Sequence, residues 1–191
     1  MKSEKFMHWQ FQHALQTAKN IIESGDRVNP IFFAYTEDSF IVIPGMFETD
    51  KEKEYFLTKI KLIFAVFKIN YYIFIHEGWL SIVPKDSELK IRPKDDPNRK
   101  EALVVSCIGH DEKRMVLYEI VEKNNKRVLT DKLESKNEDV CGTFTELLPP
   151  KDLVLPEEFK LKVLNHLEEL GITLKKRKIE DEVTLSSKDL N

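Results

Sequence analysis

The sequence has too few cysteines and too little charge imbalance for several classes of protein. Only two cysteines, Cys107 and Cys141, occur in 191 residues, so we expect small buried thiols rather than a disulfide framework. The 30 Lys and Arg residues are balanced by 33 Asp and Glu residues, whereas a general nucleic-acid binder normally has a basic excess. Nucleic-acid binding would therefore require a local basic patch.

Long apolar runs and the common cofactor motifs are also missing. The most apolar windows, residues 31–44 and 60–75, are interrupted by charged or polar residues and fall short of the roughly 20 apolar residues that cross a bilayer. The first residues lack a signal-peptide pattern, and no glycine-rich phosphate loop or zinc-ligand spacing occurs. We therefore expect a cytoplasmic protein with no membrane contact, no cofactor and no metal.

Hydrophobic periodicity predicts an α+β fold. Apolar residues at three- and four-residue steps predict helices over residues 5–23, from a Thr49 or Asp50 cap to 67, and over 156–170. β-branched and aromatic runs predict strands over residues 31–35, 40–43, 71–83, 101–108, 114–121, 127–130 and 140–148. Because hairpins follow one another without βαβ alternation, we expect a mostly antiparallel sheet with the helices packed on one face.

The chain divides into one domain and a tail. Residues 1–171 are expected to form a single α+β domain, and residues 172–191 a charged, disordered tail. The tail contains the basic run Lys175–Lys178, followed closely by acidic residues. Nucleic-acid contact is not expected except through this tail.

The stretch from His76 to Lys100 has the composition of a functional surface. Gly78 inside a strand pattern predicts a bulge or bend, and Trp79 follows it. The connection 84–100 has three prolines and about 17 residues, which is long for a structureless loop in a compact domain. Trp and Arg are the residues most often found at interface hot spots, so we expect a partner to bind near Trp79 and this loop.

A carboxylate interrupts the apolar strand that follows. By alternation Glu119 shares a face with apolar neighbours, and a buried carboxylate needs a partner, for which Arg92 and Arg99 are candidates. Arginine and carboxylate groups can lock through paired hydrogen bonds. We therefore predict one ionic network that pins the 84–100 loop to the sheet, formed by Glu77, Arg99, Glu101 and Glu119.

Two motifs in this region resemble a loose group of hypothetical proteins from bacteria and their phages. The first is Glu77-Gly78-Trp79, where the group favours a small residue such as Ala in the middle. The second is Arg92-Pro93 followed by residues 96–103, the Pro-Asn/Asp-Arg-x-Glu entry to a hydrophobic hairpin. The likeness spans roughly residues 30–120. No activity is assigned to the group, so the resemblance marks these residues as a unit without implying a reaction.

Three functions are compatible with the sequence. The favoured one is a non-enzymatic binding or accessory protein, phage- or mobile-element-associated, whose partner is a protein. The second is a small metal-dependent hydrolase or nuclease-like enzyme in which Glu77 and Glu101 hold a divalent cation and His76 assists. The third is a structural homo-oligomer. The predicted binding residues are Trp79, Arg92, Arg99, Glu77, Glu101 and Glu119.

Overall fold

A computed structural model describes residues 2–45, 47–81, 92–137, 140, 143–169 and 177–178. Within these ranges three α-helices and one 3₁₀ turn accompany a single sheet. The helices are α1 (Lys2–Glu23), α2 (Asp50–Phe67) and α3 (Glu157–Glu169), and the 3₁₀ turn is Pro93–Asp95. The strands are β1 (Ile31–Tyr35), β2 (Ser39–Pro44), β3 (Tyr71–Leu80), β4 (Lys100–Gly109), β5 (Lys113–Lys123), β6 (Lys126–Lys136) and β7 (Arg177–Lys178).

The sheet is antiparallel throughout, in the order β6-β5-β4-β3-β1-β2-β7. The predicted α+β class and antiparallel sheet are therefore confirmed. The β5–β6 hairpin turns through Asn124 and Asn125, whose φ angles are 52° and 58°. Two left-handed residues make a two-residue turn that matches strand twist, and this turn sets Glu122 opposite Arg127.

The helices cover both faces of the sheet, so the prediction that they pack on one face is wrong. Alternate residues of β1 belong to two separate cores: Ile31, Phe33 and Tyr35 pack with α1, and Phe32 and Ala34 pack with α2 and α3. All five residues of β1 are buried. A strand that is apolar on both faces needs cover on both sides. We call the two sides the α1 face and the α2 face.

The ends of α2 follow its sequence signals. The Thr49 hydroxyl accepts a hydrogen bond from the Glu52 N–H, and the Glu52 carboxylate accepts one from the Thr49 N–H, which completes a capping box. Hydrogen bonds from the backbone N–H groups of Glu48 and Thr49 to the Glu52 carboxylate hold the pKa of Glu52 below its ordinary value. The helix ends at Phe67. The next residue, Lys68, is left-handed and caps the carbonyls of Phe64 and Ala65.

Two local predictions are wrong. Strand β3 continues through Gly78 without a bulge, and Gly78 pairs with Ala102. Glycine instead leaves room for a neighbouring ring, because a Cβ at this position would lie 3.3 Å from the His76 imidazole. The described residues of 140–148 form a turn and irregular backbone rather than a strand. Their Phe144 ring packs 4.7 Å from that of Phe74 on the α2 face, which explains the apolar pattern.

The structure describes residues 92–100 of the predicted loop and residues 177–178 of the predicted tail. Residues 82–91 lie outside the described residues. Arg177 and Lys178, within the predicted tail, pair with Phe40 and Ser39 of β2. The domain boundary at residue 171 stays a prediction. No helix in the described part of the chain has the length and apolarity needed to span a membrane.

Candidate functional site

Glu77 lies where the α1 face changes from apolar to polar. It follows the buried Ile75 by two positions on β3, so strand alternation places both on the same face. One carboxylate oxygen of Glu77, Oε1, accepts hydrogen bonds from the Val28 N–H at 2.6 Å and from Arg127 Nη1 at 3.0 Å. The other, Oε2, accepts from Arg127 Nη2 at 2.6 Å. The two side chains are only 10% and 16% exposed.

Arg127 joins four parts of the fold through one guanidinium group. Besides Glu77 on β3, its Nη2 donates to Glu101 Oε1 on β4 at 3.1 Å. Its Nη1 donates to the Asp26 carbonyl, in the connection from α1 to β1, at 2.8 Å. These hydrogen bonds, above all those to Glu77, raise the pKa of Arg127 above its ordinary value. We call Glu77, Glu101 and Arg127, with the backbone of Asp26 and Val28, the Arg127 clamp.

The clamp resolves an electrostatic conflict. Glu77 and Glu101 both lie on the α1 face of adjacent strands, and two partly buried like charges repel each other. A guanidinium presents donors in a fixed planar fork, and its bidentate bonds to a carboxylate are among the stronger hydrogen bonds in proteins. Arg127 therefore places a positive charge between the two carboxylates while tying their strands to β6.

Trp79 lies on the same face, one step beyond Glu77. It pairs directly with Glu101 across the β3–β4 ladder, and it is 48% exposed. The guanidinium carbon of Arg99, the residue before β4, lies 4.5 Å from the centre of the Trp79 ring, within the range of a cation–π interaction. We call Trp79 and Arg99 the Trp79–Arg99 rim.

Glu119 does not belong to this cluster, so the predicted four-residue network is wrong. It pairs with Ala102, which places it on the α2 face, opposite Glu77 and Glu101. Its carboxylate does pair with a cation, as expected of a carboxylate with little exposure. That cation is Lys100, at 2.7 Å, rather than an arginine.

Arg92 also lies apart from the clamp. Its guanidinium donates to Asp50 at 2.6 Å and to Asp95 at 2.9 Å, and Lys94 donates to the same Asp50 oxygen at 2.8 Å. The hydrogen bonds from Lys94 and Arg92 lower the pKa of Asp50. The described end of the predicted loop is thus joined to the N-terminus of α2 by ion pairs, not to the sheet by Glu77.

Most of this chain matches the model of one protein family. A family model described as Bacteriophage lambda protein ea47 matches residues 1–149. The chain belongs to this bacteriophage family. No curated protein and no solved structure matches the chain. The matched range contains the whole Arg127 clamp and the rim. The resemblance to phage proteins is confirmed at this level, and the Glu-x-Trp motif stays a prediction.

Sequence reasoning missed Arg127, although a signal for it was present. The Asn124-Asn125 pair is typical of a two-residue hairpin turn. That turn length fixes the register, so Arg127 had to lie opposite Glu122 and on the face of Ile120. Ile120 packs in the core beneath α1, which places Arg127 on the α1 face with Glu77.

His76 and Glu77 cannot act as an acid–base pair, because adjacent strand residues point to opposite faces. The His76 ring lies on the α2 face and stacks on Phe74 with 4.6 Å between ring centres. Burial, reinforced by the charge of Lys53, lowers the pKa of His76 to about 4. The imidazole is therefore neutral at pH 7, and its ring is partly buried on the α2 face.

We predict that Arg127→Met lowers the free energy of unfolding by about 2 kcal/mol, because it leaves two partly buried carboxylates without their shared cation. Arg127→Lys should recover only part of this loss, since an ammonium group cannot make the bidentate contact. Urea denaturation measures both effects. The matched control is Lys126→Met at the exposed neighbouring position, and an equal loss in both methionine variants would show that the clamp adds nothing to stability.

We predict that acidification destabilises the protein through His76. Its pKa is lower in the folded chain than the ordinary value of 6.5, so the unfolded state binds more protons between these values. The stability contributed by the neutral ring is present above pH 6.5 and falls by about 2 kcal/mol from pH 7 to pH 5. Denaturation at several pH values should show a smaller fall for His76→Gln. Parallel pH profiles for the two proteins would refute the assignment.

Proposed function

We propose that this phage protein is an accessory protein that acts in the host cytoplasm by binding a protein partner at the Trp79–Arg99 rim, without catalysing a reaction. The observation that carries the proposal is the half-exposed Trp79 with the Arg99 guanidinium stacked on its ring. Membership of the bacteriophage family supports the phage association. Glu77 and Glu101 are among the predicted binding residues. Their proposed role is to hold this surface in place through Arg127 rather than to contact the partner.

An exposed tryptophan on a rigid strand suits a binding role. Burial of its large ring in a partner would remove apolar surface from water. Trp and Arg are also enriched among the few residues that dominate interface energies. Trp79 remains paired within the β3–β4 ladder, which continues to Leu80 and Lys100. A side chain already held by its backbone loses little conformational freedom on binding.

The Arg127 clamp supports this surface from the inside. It fixes Glu77 and Glu101, which precede Trp79 by two residues and follow Arg99 by two. Both rim residues are thereby attached to strands that the clamp joins to β6 and to the α1–β1 connection. The proposed role of the clamp is to hold the rim in one orientation.

The geometry does not favour the metal-dependent enzyme. Glu77 and Glu101 both bond to Arg127, so a guanidinium already provides the positive charge that a divalent cation would bring. In the ranges that the structure describes, no three His, Cys, Asp or Glu residues lie close enough together to hold a metal ion. No specific contact favours the homo-oligomer either, and we propose neither.

Pull-down from a lysate of the phage's bacterial host tests the proposal. The tagged wild-type chain should retain a protein that Trp79→Ala retains at least tenfold less, because loss of an interface hot spot costs about 2 kcal/mol or more. The matched control is Trp9→Ala, which removes the other tryptophan, 53% exposed on α1. Circular dichroism checks that all three proteins fold.

Two results would contradict the binding role. A partner retained equally by the wild-type chain and Trp79→Ala would place the contact elsewhere. A partner lost equally from Trp79→Ala and Trp9→Ala would indicate general adhesion to exposed aromatic rings.

A further inference from the structure

We infer that the Trp79–Arg99 rim selects an acidic protein segment, one with Asp or Glu side chains beside an apolar residue. This inference rests on the proposed binding function and adds the chemistry of the partner. It follows from how charge is arranged near Trp79, where exposed guanidinium groups lie beside the partly buried carboxylates of the Arg127 clamp.

Arg99 has charge available for a partner. Its side chain is exposed, and its one described hydrogen bond runs from Nη1 to the Asp96 carbonyl at 3.4 Å. Within the described residues no carboxylate lies within 4 Å of its guanidinium. In the part of the chain that the structure describes, the other N–H donors of this guanidinium have no bonding partner, and they can bond to a carboxylate.

Arg27 provides a second outward cation. Its side chain is 76% exposed, and its described carboxylate contact is to Glu101 Oε1 at 3.9 Å. That same oxygen already accepts the shorter bond from Arg127 at 3.1 Å. Because Glu101 pairs directly with Trp79, Arg27 lies beside the cross-strand partner of this tryptophan.

The two carboxylates of the Arg127 clamp are directed into the fold. Glu101 is 28% exposed, Glu77 is less exposed still, and both bond to Arg127. A chain with a formal net charge of −3 therefore presents one exposed guanidinium group over its exposed ring and a second beside Glu101. Opposite charge on a partner would speed encounter and would disfavour neutral or basic competitors.

Single-stranded nucleic acid could use related chemistry, since bases stack on aromatic rings and phosphates bind arginine. One feature favours protein. The Arg99 guanidinium covers one side of the Trp79 ring, the position that a stacked base would need.

Selection from a random 12-residue peptide display library tests the inference with the full chain immobilised. Peptides retained by the wild-type chain and not by Trp79→Ala should be enriched in Asp and Glu around one apolar residue. Arg99→Glu should retain these peptides at least tenfold less. Lys61→Glu, which makes the same change of charge at an exposed position of α2, should retain them as the wild-type chain does. Circular dichroism confirms folding of each variant.

The outcomes distinguish failure of the acidic preference from failure of the binding function. Trp79-dependent peptides that are neutral or basic, or that Arg99→Glu retains unchanged, would overturn the acidic preference and leave the binding function intact. If Trp79→Ala retains the same peptides as the wild-type chain, the binding function itself fails. Trp79-dependent binding of an oligo-dT probe, without enrichment of acidic peptides, would overturn the choice of protein over nucleic acid.

Discussion

Glu77 and Glu101 extend from neighbouring strands into the same half-enclosed region, and the guanidinium of Arg127 lies between their charges. Much of this end of the molecule depends on that contact. Without the cation, two partly buried like charges would face each other with no positive charge between them. With it, strands β3, β4 and β6 are tied together, and the connection between α1 and β1 is held through the backbone of Asp26 and Val28.

The layers of the fold explain why the contact forms at this position. The central strands are apolar on both sides and are covered by α1 on one face and by α2 and α3 on the other. Along β3 the α1 face runs from Ile75, which is buried, through Glu77 to Trp79, which is exposed. The clamp thus marks the boundary of the core, and the rim lies just outside it. A rigid base with an exposed aromatic group at its edge is an arrangement that suits recognition.

Much of the fold could be predicted because its signals are local. The periodicity of α1, the Thr49 cap and the apolar run of β1 each depend on residues adjacent in sequence, and the predicted helices agree with the structure to within a few residues. The prediction that the helices pack on one face was wrong. The uninterrupted apolar sequence of β1 is typical of a strand that is covered on both faces.

The site was harder to predict, because it depends on register between strands. Alternation correctly placed Glu119 among apolar neighbours. The four-residue turn at 109–112 does not fix which face of β4 Glu119 shares. The structure places Glu119 on the face of the sheet opposite to that of Glu77. The Asn124-Asn125 turn did fix the position of Arg127 relative to β5. The Arg127 side chain also reaches past β5 and β4 to Glu77 on β3. This contact depends on the packed tertiary structure and on no local pattern.

The most direct test of the clamp is a double-mutant cycle on the free energy of unfolding, with Glu77→Gln, Arg127→Met and the variant that combines them. If the two side chains stabilise the fold through each other, the cycle should give a coupling energy of about 2 kcal/mol. A coupling energy below about 0.5 kcal/mol, the range of independent sites, would contradict the central role of the Glu77–Arg127 contact.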